Sequence, residues 1–128
     1  MKIFVDANVL IDLIDENRKL HKEALKFFQH NLGNIFFTSC DILTTVYYIV
    51  SKNKDPLIDI ENMLKLVKVI AFSNEEASMA VELMKKNSKF KDFEDTIQYV
   101  LAKKAEADLI VTNDKSFYSP DIKLINLK

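Results

Sequence analysis

The sequence predicts an α/β domain in which helices cover both faces of a parallel sheet. Short apolar runs alternate along the chain with longer segments in which apolar residues recur at helical spacing. Strands separated by helices need crossover connections, and such connections make neighbouring strands parallel. The chain has 128 residues, a length that suits one domain and is enough to bury a core. We therefore expect a single domain over residues 1–128.

The predicted elements follow the apolar pattern in order. The strands are predicted at residues 3–5, 35–38, 67–72 and 109–111, with a fifth at 123–125. The helices are predicted at residues 9–14, 20–32, 42–51, 57–66, 75–86 and 94–105. Pro56 suits the first position of its helix, and Ser73 or Asn74 suits the capping position before residues 75–86.

The composition excludes several classes of site. The net charge of -1 is not typical of a non-specific nucleic-acid binder. Gly33 is the only glycine, which excludes glycine-rich phosphate loops, and Arg18 is the only arginine, which leaves bidentate recognition of phosphate nearly unavailable. Any phosphate chemistry must therefore use side chains and metal ions.

The chain shows no sign of export or membrane insertion. Asp6 interrupts the apolar region that a signal peptide would need, and no apolar run approaches the roughly 18 residues that span a bilayer. Cys40 is the only cysteine and cannot form an internal disulfide, which fits a reducing compartment. We therefore expect a cytoplasmic protein that does not bind membranes.

Acidic residues from three distant segments are predicted to meet at one edge of the sheet. Asp6 directly follows the first predicted strand, and Asp114 lies two residues past Thr112, at the end of the fourth. Asp95 lies in the first turn of the helix that leads into the fourth strand, and Asp92 lies three residues earlier. The carboxyl ends of parallel strands share an edge, where α/β folds bind their ligands.

Several carboxylates close together at this edge predict that the site binds a cation. Two carboxylates about 4 Å apart repel by on the order of 4 kcal/mol at an effective dielectric of 20, so a cluster of them raises a pKa or binds a cation. Mg²⁺ suits oxygen ligands, and it can activate water for attack on a phosphodiester. No serine–histidine or cysteine–histidine pair is evident, because His21 and His30 both lie in the second predicted helix, where we expect them at the surface.

Each acid also has a purely structural interpretation. Asp6 could cap the helix that follows it, and Asp95 could complement the dipole of its own helix. Asp114 could form a turn with Asn113. The predicted convergence favours a functional site, because helix caps and turns need not gather in one place.

Three segments of the chain carry motifs that occur together in one family. They are Ile3-Phe4-Val5-Asp6-Ala7-Asn8, Asp92-Phe93-Glu94-Asp95 and Thr112-Asn113-Asp114. In these motifs the chain resembles the PIN-domain ribonucleases, including the VapC-like toxins of toxin–antitoxin modules. The resemblance extends from end to end of the chain and keeps the motifs in the family's order.

The resemblance implies a three-layer α/β/α sandwich with a central parallel sheet of four or five strands. It also implies cleavage of single-stranded RNA with Mg²⁺ or Mn²⁺, an antitoxin protein as partner, and a homodimer. The residues that it implies as metal ligands or catalytic groups are Asp6, Asp95 and Asp114, with Asp92 close by. The supporting polar residues are Asn8, Thr112 and Glu94.

One expected acid is missing from the sequence. The family usually has a glutamate at a fixed spacing past a serine that ends the second strand, and counting from Ser39 that position is Thr45. Asp41 precedes this helix, and we expect it to cap the helix. Asp92 or Glu94 could compensate for the missing charge. The alternative is a catalytically weakened PIN-like module that binds RNA or a protein.

A run of lysines precedes the second acidic motif. It could guide the RNA backbone toward the bound metal ions, and it could equally be a solvated helix end. The run comprises Lys85, Lys86, Lys89 and Lys91.

Overall fold

The computed structural model describes residues 1–128 and confirms the alternation of strands and helices. The strands are β1 (Lys2–Val5), β2 (Ile35–Ser39), β3 (Val67–Ile70), β4 (Leu109–Val111) and β5 (Lys123–Ile125). The helices are α1 (Ala7–Ile14), α2 (His21–His30), α3 (Leu43–Val50), α4 (Pro56–Leu66), α5 (Asn74–Lys86) and α6 (Phe93–Lys104). A single 3-10 turn, Cys40–Ile42, lies between β2 and α3.

All five strands are parallel and form one sheet in the order β3-β2-β1-β4-β5. The chain adds β2 and β3 on one side of β1, and then returns to add β4 and β5 on the other side. The strand order therefore reverses at β1. In α/β folds the crevice at such a reversal, beyond the carboxyl ends of the strands, is where ligands bind.

The core lies on both faces of this sheet. Successive side chains of a strand point to opposite faces, and β1 follows this rule with three fully buried residues. Ile3 and Val5 pack with apolar residues of α1, α2, α3 and α4, whereas Phe4 packs with α5 and α6. The predicted three-layer α/β/α sandwich is therefore confirmed.

The ends of the helices depend on local capping. Ser73 and Glu76 form a reciprocal capping box at the start of α5, so Ser73 is the cap. Asp92 caps α6, because its side chain accepts a hydrogen bond from the N–H of Asp95 at 2.9 Å.

No helix in the structure combines the length and apolar character that a bilayer span requires.

His21 differs from the sequence expectation of a surface residue. It begins α2 half-buried, and its Nδ1 lies 2.9 Å from the backbone oxygen of Asp12. The side chain thus ties the start of α2 to α1, a contact that the helical pattern alone does not reveal. His30 is exposed, as expected.

Candidate metal centre

Asp6 lies at the centre of the carboxyl edge, and its side chain accepts three hydrogen bonds. Its Oδ1 accepts a hydrogen bond from the N–H of Ala7 at 2.7 Å, so Asp6 caps α1. Its Oδ2 accepts hydrogen bonds from Oγ1 of Thr112 at 2.7 Å and from Nδ2 of Asn8 at 3.2 Å. Asp6 is only 5% exposed. These bonds fix a buried carboxylate between the ends of β1 and β4.

Asp114 lies in a turn just beyond the end of β4. Its backbone N–H donates to Oγ1 of Thr112 at 3.1 Å, and its Oδ1 accepts hydrogen bonds from the N–H and the hydroxyl of Ser116 at 2.9 and 2.7 Å. Its negative charge nevertheless raises the pKa of both Asp6 and Asp95. The turn interpretation and the proximity to the other acids therefore both hold.

Asp95 has the clearest electrostatic signature of the cluster. It is half-buried in the first turn of α6, and its pKa is raised from 3.8 to about 7. Partial burial is the largest cause, and the negative charges of Asp6, Asp92, Asp114 and Glu94 add to it. Acids from three parts of the chain thus act on one carboxyl group.

Burial also raises the pKa of Asp6, although its hydrogen bonds oppose the shift. Desolvation is the largest cause, and the bonds from Thr112, Ala7 and Gln98 favour the charged form. The charge of Asp114 raises the pKa further. Burial of Asp6 therefore disfavours the charged form of its carboxyl group, and the polar contacts partly offset this effect.

Asp41 does not have the role that the sequence suggested. We expected it to cap the helix after β2, but α3 has no side-chain cap, and Asp41 Oδ1 instead accepts a hydrogen bond from the hydroxyl of Ser39. Asp41 lies inside the 3-10 turn Cys40–Ile42, and Ile42 occupies the capping position of α3, which explains the difference. After burial, the charge of Asp41 is the largest cause of the raised pKa of Glu94. Asp41 therefore brings a further acid toward the cluster from the end of β2.

Gln98 is a buried polar residue that sequence reasoning did not single out. It lies on α6 with no exposed surface, and its Nε2 donates to Oε1 of Glu94 at 3.4 Å. Its side chain also lowers the pKa of Asp6, whereas its Oε1 has no partner. An unpaired buried carbonyl costs about 1–3 kcal/mol. The only available signal was a glutamine on the inward face of a helix.

The donor set suits a hydrated hard cation. No three histidine, cysteine, aspartate or glutamate side chains stand close enough in the structure to hold a metal ion between them. Mg²⁺ needs only one or two direct carboxylates, because water supplies its other ligands. The oxygen donors of the cluster fit such an ion, and the unpaired Oε1 of Gln98 can accept a hydrogen bond from a water beside it.

The four lysines that precede Asp92 lie at the protein surface and form no ion pair with the acidic cluster. Lys85 approaches Glu82 at 3.7 Å, and Nζ of Lys89 lies 5.9 Å from the centre of the Tyr118 ring. Lys86 and Lys91 are exposed. No ion pair joins any of these lysines to the predicted site acids. Their contact with RNA stays a prediction.

The raised pKa values predict how stability depends on pH. With chelator present, the unfolding temperature should fall as the pH rises from about 4 to about 7, because the folded chain keeps a proton on Asp95 that the unfolded chain releases. This stabilisation is complete below the ordinary pKa of 3.8 and is lost as the pH passes about 7. The raised pKa values of Asp6 and Glu94 act in the same direction.

Thermal unfolding followed by circular dichroism at a series of pH values measures this effect. The Asp95→Asn variant is the control, and its unfolding temperature should depend less steeply on pH because residue 95 no longer titrates. An unfolding temperature that rises between about pH 4 and 7 in the unmodified protein would contradict the prediction.

Comparison with known proteins matches this chain to a family model and to a curated relative over nearly its whole length. The family model described as PIN domain matches residues 3–123. Ribonuclease VapC1 of Aquifex aeolicus (strain VF5) is 48% identical over an alignment of 128 positions, which covers 97% of this chain and 89% of that protein.

Solved structures share the fold of this chain. VapBC2 from Rickettsia felis, bound to a DNA fragment from its promoter, matches with a TM-score of 0.72 and 22% identity over 98% of each chain. A toxin–antitoxin complex from Klebsiella pneumoniae matches with a TM-score of 0.74 and 18% identity, again over 98% of each chain. These similarities extend over the whole sheet and its helices.

Proposed function

Because the chain belongs to the PIN domain family, we propose that it is a divalent-metal-dependent endoribonuclease that cleaves single-stranded RNA. The observation that carries the proposal is that the negative charges of Asp6 and Asp114 act on Asp95, whose pKa is raised to about 7 mainly by partial burial and further by these acids. The 48% identity to a ribonuclease supports RNA as the substrate.

The site residues take distinct roles in this proposal. Mg²⁺ or Mn²⁺ would be held directly by one or two of the carboxylates of Asp6, Asp95 and Asp114, with Asp92 near them and water as the remaining ligands. When bound, the ion would supply an activated water and neutralise charge on the phosphodiester. Thr112 and Asn8 hold the Asp6 carboxylate in a fixed orientation through their hydrogen bonds, as supporting residues do around metal ligands.

We propose that Asp41 and Glu94 together supply the negative charge that the family usually has at the position of Thr45. Glu94 lies next to Asp95 at the start of α6, and Asp41 reaches it from the end of β2. Gln98 donates a hydrogen bond to Glu94 and also lowers the pKa of Asp6. The charge lost at Thr45 is thus replaced from two neighbouring elements.

Cleavage of a labelled single-stranded RNA tests the proposed function. We expect cleavage with millimolar Mg²⁺ or Mn²⁺, and none with excess chelator, because carboxylates alone do not activate water for phosphodiester attack. Restoring the metal after chelation should restore cleavage. RNA cleavage that persists in chelator contradicts metal dependence.

The second candidate is a PIN-like module that binds RNA or protein without cutting. Thr45, an uncharged residue where the family has an acid, favours it, because a lost ligand charge lowers cation affinity. Calorimetric titration with Mn²⁺ separates the two candidates. Binding supports the enzyme, and absence of binding at millimolar metal favours the module.

We infer an antitoxin protein as partner, which is supported by the toxin–antitoxin complexes among the structural relatives. Several large apolar side chains of α3 and α4 are exposed, as is typical of surfaces that bind another protein. They are Tyr47, Tyr48, Leu57, Ile58 and Leu64. A homodimer is a further proposal for this chain, and the molar mass of the isolated protein in solution tests it.

A further inference from the structure

A continuous set of hydrogen bonds leads from Asp6 to Arg18, the only arginine of the chain. Asn8 donates to Asp6, and Oδ1 of Asn8 accepts from the backbone N–H of Asn113 at 3.2 Å. Nδ2 of Asn113 donates to Oδ2 of Asp12 at 3.2 Å, and Oδ1 of Asp12 accepts from Nε of Arg18 at 3.0 Å. Arg18 is thus attached to the loop that follows β4.

The two partners of this ion pair differ sharply in exposure. The side chain of Asp12 is 6% exposed, whereas that of Arg18 is 42% exposed. A guanidinium has N–H donors on Nε and on both Nη atoms, and Arg18 uses only Nε for a hydrogen bond within the chain. The two Nη groups therefore have donors to offer to a ligand.

The ion pair holds the guanidinium in a defined place. Asp12 is a buried carboxylate with two hydrogen-bond partners from separate segments, Arg18 and Asn113. A guanidinium held in this way loses less conformational freedom on binding, and its planar Nη groups match the oxygen atoms of a phosphate. Arg18, the only arginine, can therefore make the bidentate contact with phosphate that no other residue of this chain offers.

The surroundings of Arg18 suit an anion. An open cavity of about 410 Å³ adjoins it, with Lys19 and Lys128 among the lining residues. The only acidic side chain in the lining is that of Asp12, which is buried and paired. Asn8 also lines the cavity and contacts Asp6. The cavity therefore lies on the α1 side of the acidic cluster. Residues 8 and 12, which both line it, are about 6 Å apart along the axis of α1.

We propose that Arg18, with Lys19 and Lys128 beside it, binds a backbone phosphate of the single-stranded RNA on the α1 side of the acidic cluster. Asp12 and Asn113 are positioning residues that hold the guanidinium. The inference rests on the proposed function, because it takes the same RNA as the ligand.

RNA binding without cleavage gives the direct test. The full chain with Asp95→Asn serves as the parent, and fluorescence anisotropy of a labelled single-stranded RNA is measured at several salt concentrations. Adding Arg18→Gln should weaken binding about tenfold, and should reduce the slope of log affinity against log salt by about 0.7, the value for one lost phosphate contact on a single strand.

Two further variants give matched controls. Arg18→Lys keeps the charge and should keep the salt slope, while it loses part of the affinity because an ammonium cannot bind bidentately. Lys26→Gln removes one charge from an exposed position on α2 and should change affinity by less than about twofold. In the cleaving protein, Arg18→Gln should raise KM and leave kcat nearly unchanged.

The possible outcomes distinguish this inference from the proposed function. The inference is overturned if Arg18→Gln binds RNA as tightly as the parent, or loses no more affinity than Lys26→Gln. It is also overturned if the salt slope stays constant while the unfolding temperature falls, because Arg18 is then only structural. A parent that binds no RNA at all overturns the proposed function itself, and this inference with it.

Discussion

Replacement of Asp95 by asparagine should reduce metal-dependent RNA cleavage by well over the ten- to hundred-fold that loss of a supporting residue typically costs. The change removes one negative charge from the cluster at the position where Asp6, Asp92 and Asp114 act together. Loss of a charged ligand lowers the affinity for a hard cation. Initial rates on a labelled single-stranded RNA, at the same fixed millimolar concentration of Mg²⁺ or Mn²⁺ for both proteins, measure the effect.

The same variant should fold at least as well as the unmodified protein near neutral pH. Asp95 is repelled by its acidic neighbours, and removing one member of a repulsive cluster relieves that repulsion. Asp6→Asn should also abolish cleavage, but it is the less clean variant because Asp6 also caps α1.

The matched control is Glu61→Gln, which neutralises an exposed acid on α4. It should leave the cleavage rate within about twofold of the unmodified protein, as expected for a surface substitution. If the Asp95→Asn protein cuts as fast as this control, the assignment of the acidic cluster is wrong.

Replacement of Phe4 by alanine should lower the free energy of unfolding by about 3–5 kcal/mol. Phe4 lies in the central strand with no exposed surface, and packs with Leu101 and Ile110 among others. The free energy of unfolding of an ordinary domain is about 5–15 kcal/mol, so this one change removes a large share of the stability of the fold. Urea unfolding with linear extrapolation measures the difference.

Phe93→Ala provides the comparison, because it removes the same side chain from a position that is 46% exposed. Its effect on the free energy of unfolding should stay below about 1 kcal/mol. An equal loss in both variants would show that burial against α5 and α6 does not determine the cost at Phe4.

The fold could be predicted from the sequence because its signals are local. The apolar run before Asp6 and the run before Thr112 are short and are followed by polar residues, which marks them as buried strands of a parallel sheet. The rule that ligands bind at the carboxyl edge then predicted that Asp6, Asp95 and Asp114 share this edge.

The contacts that the sequence could not predict depend on how distant segments pack. Asp41 has the position of a helix cap, but a 3-10 turn and the hydroxyl of Ser39 give it a different partner. Arg18 gains its significance from Asp12 and Asn113, which are 101 residues apart. Helical or strand periodicity carries no information on pairs of this kind.

The hydrogen bond between Asp6 and Thr112 joins residues that are 106 positions apart. A nascent polypeptide emerges from the ribosome with its N-terminal part first, and β4 pairs with β1 only after almost all of the chain has been made. Under the proposed function, an unfinished chain cannot assemble the cutting centre. The translating ribosome and its messenger are therefore protected from the product until synthesis is nearly complete.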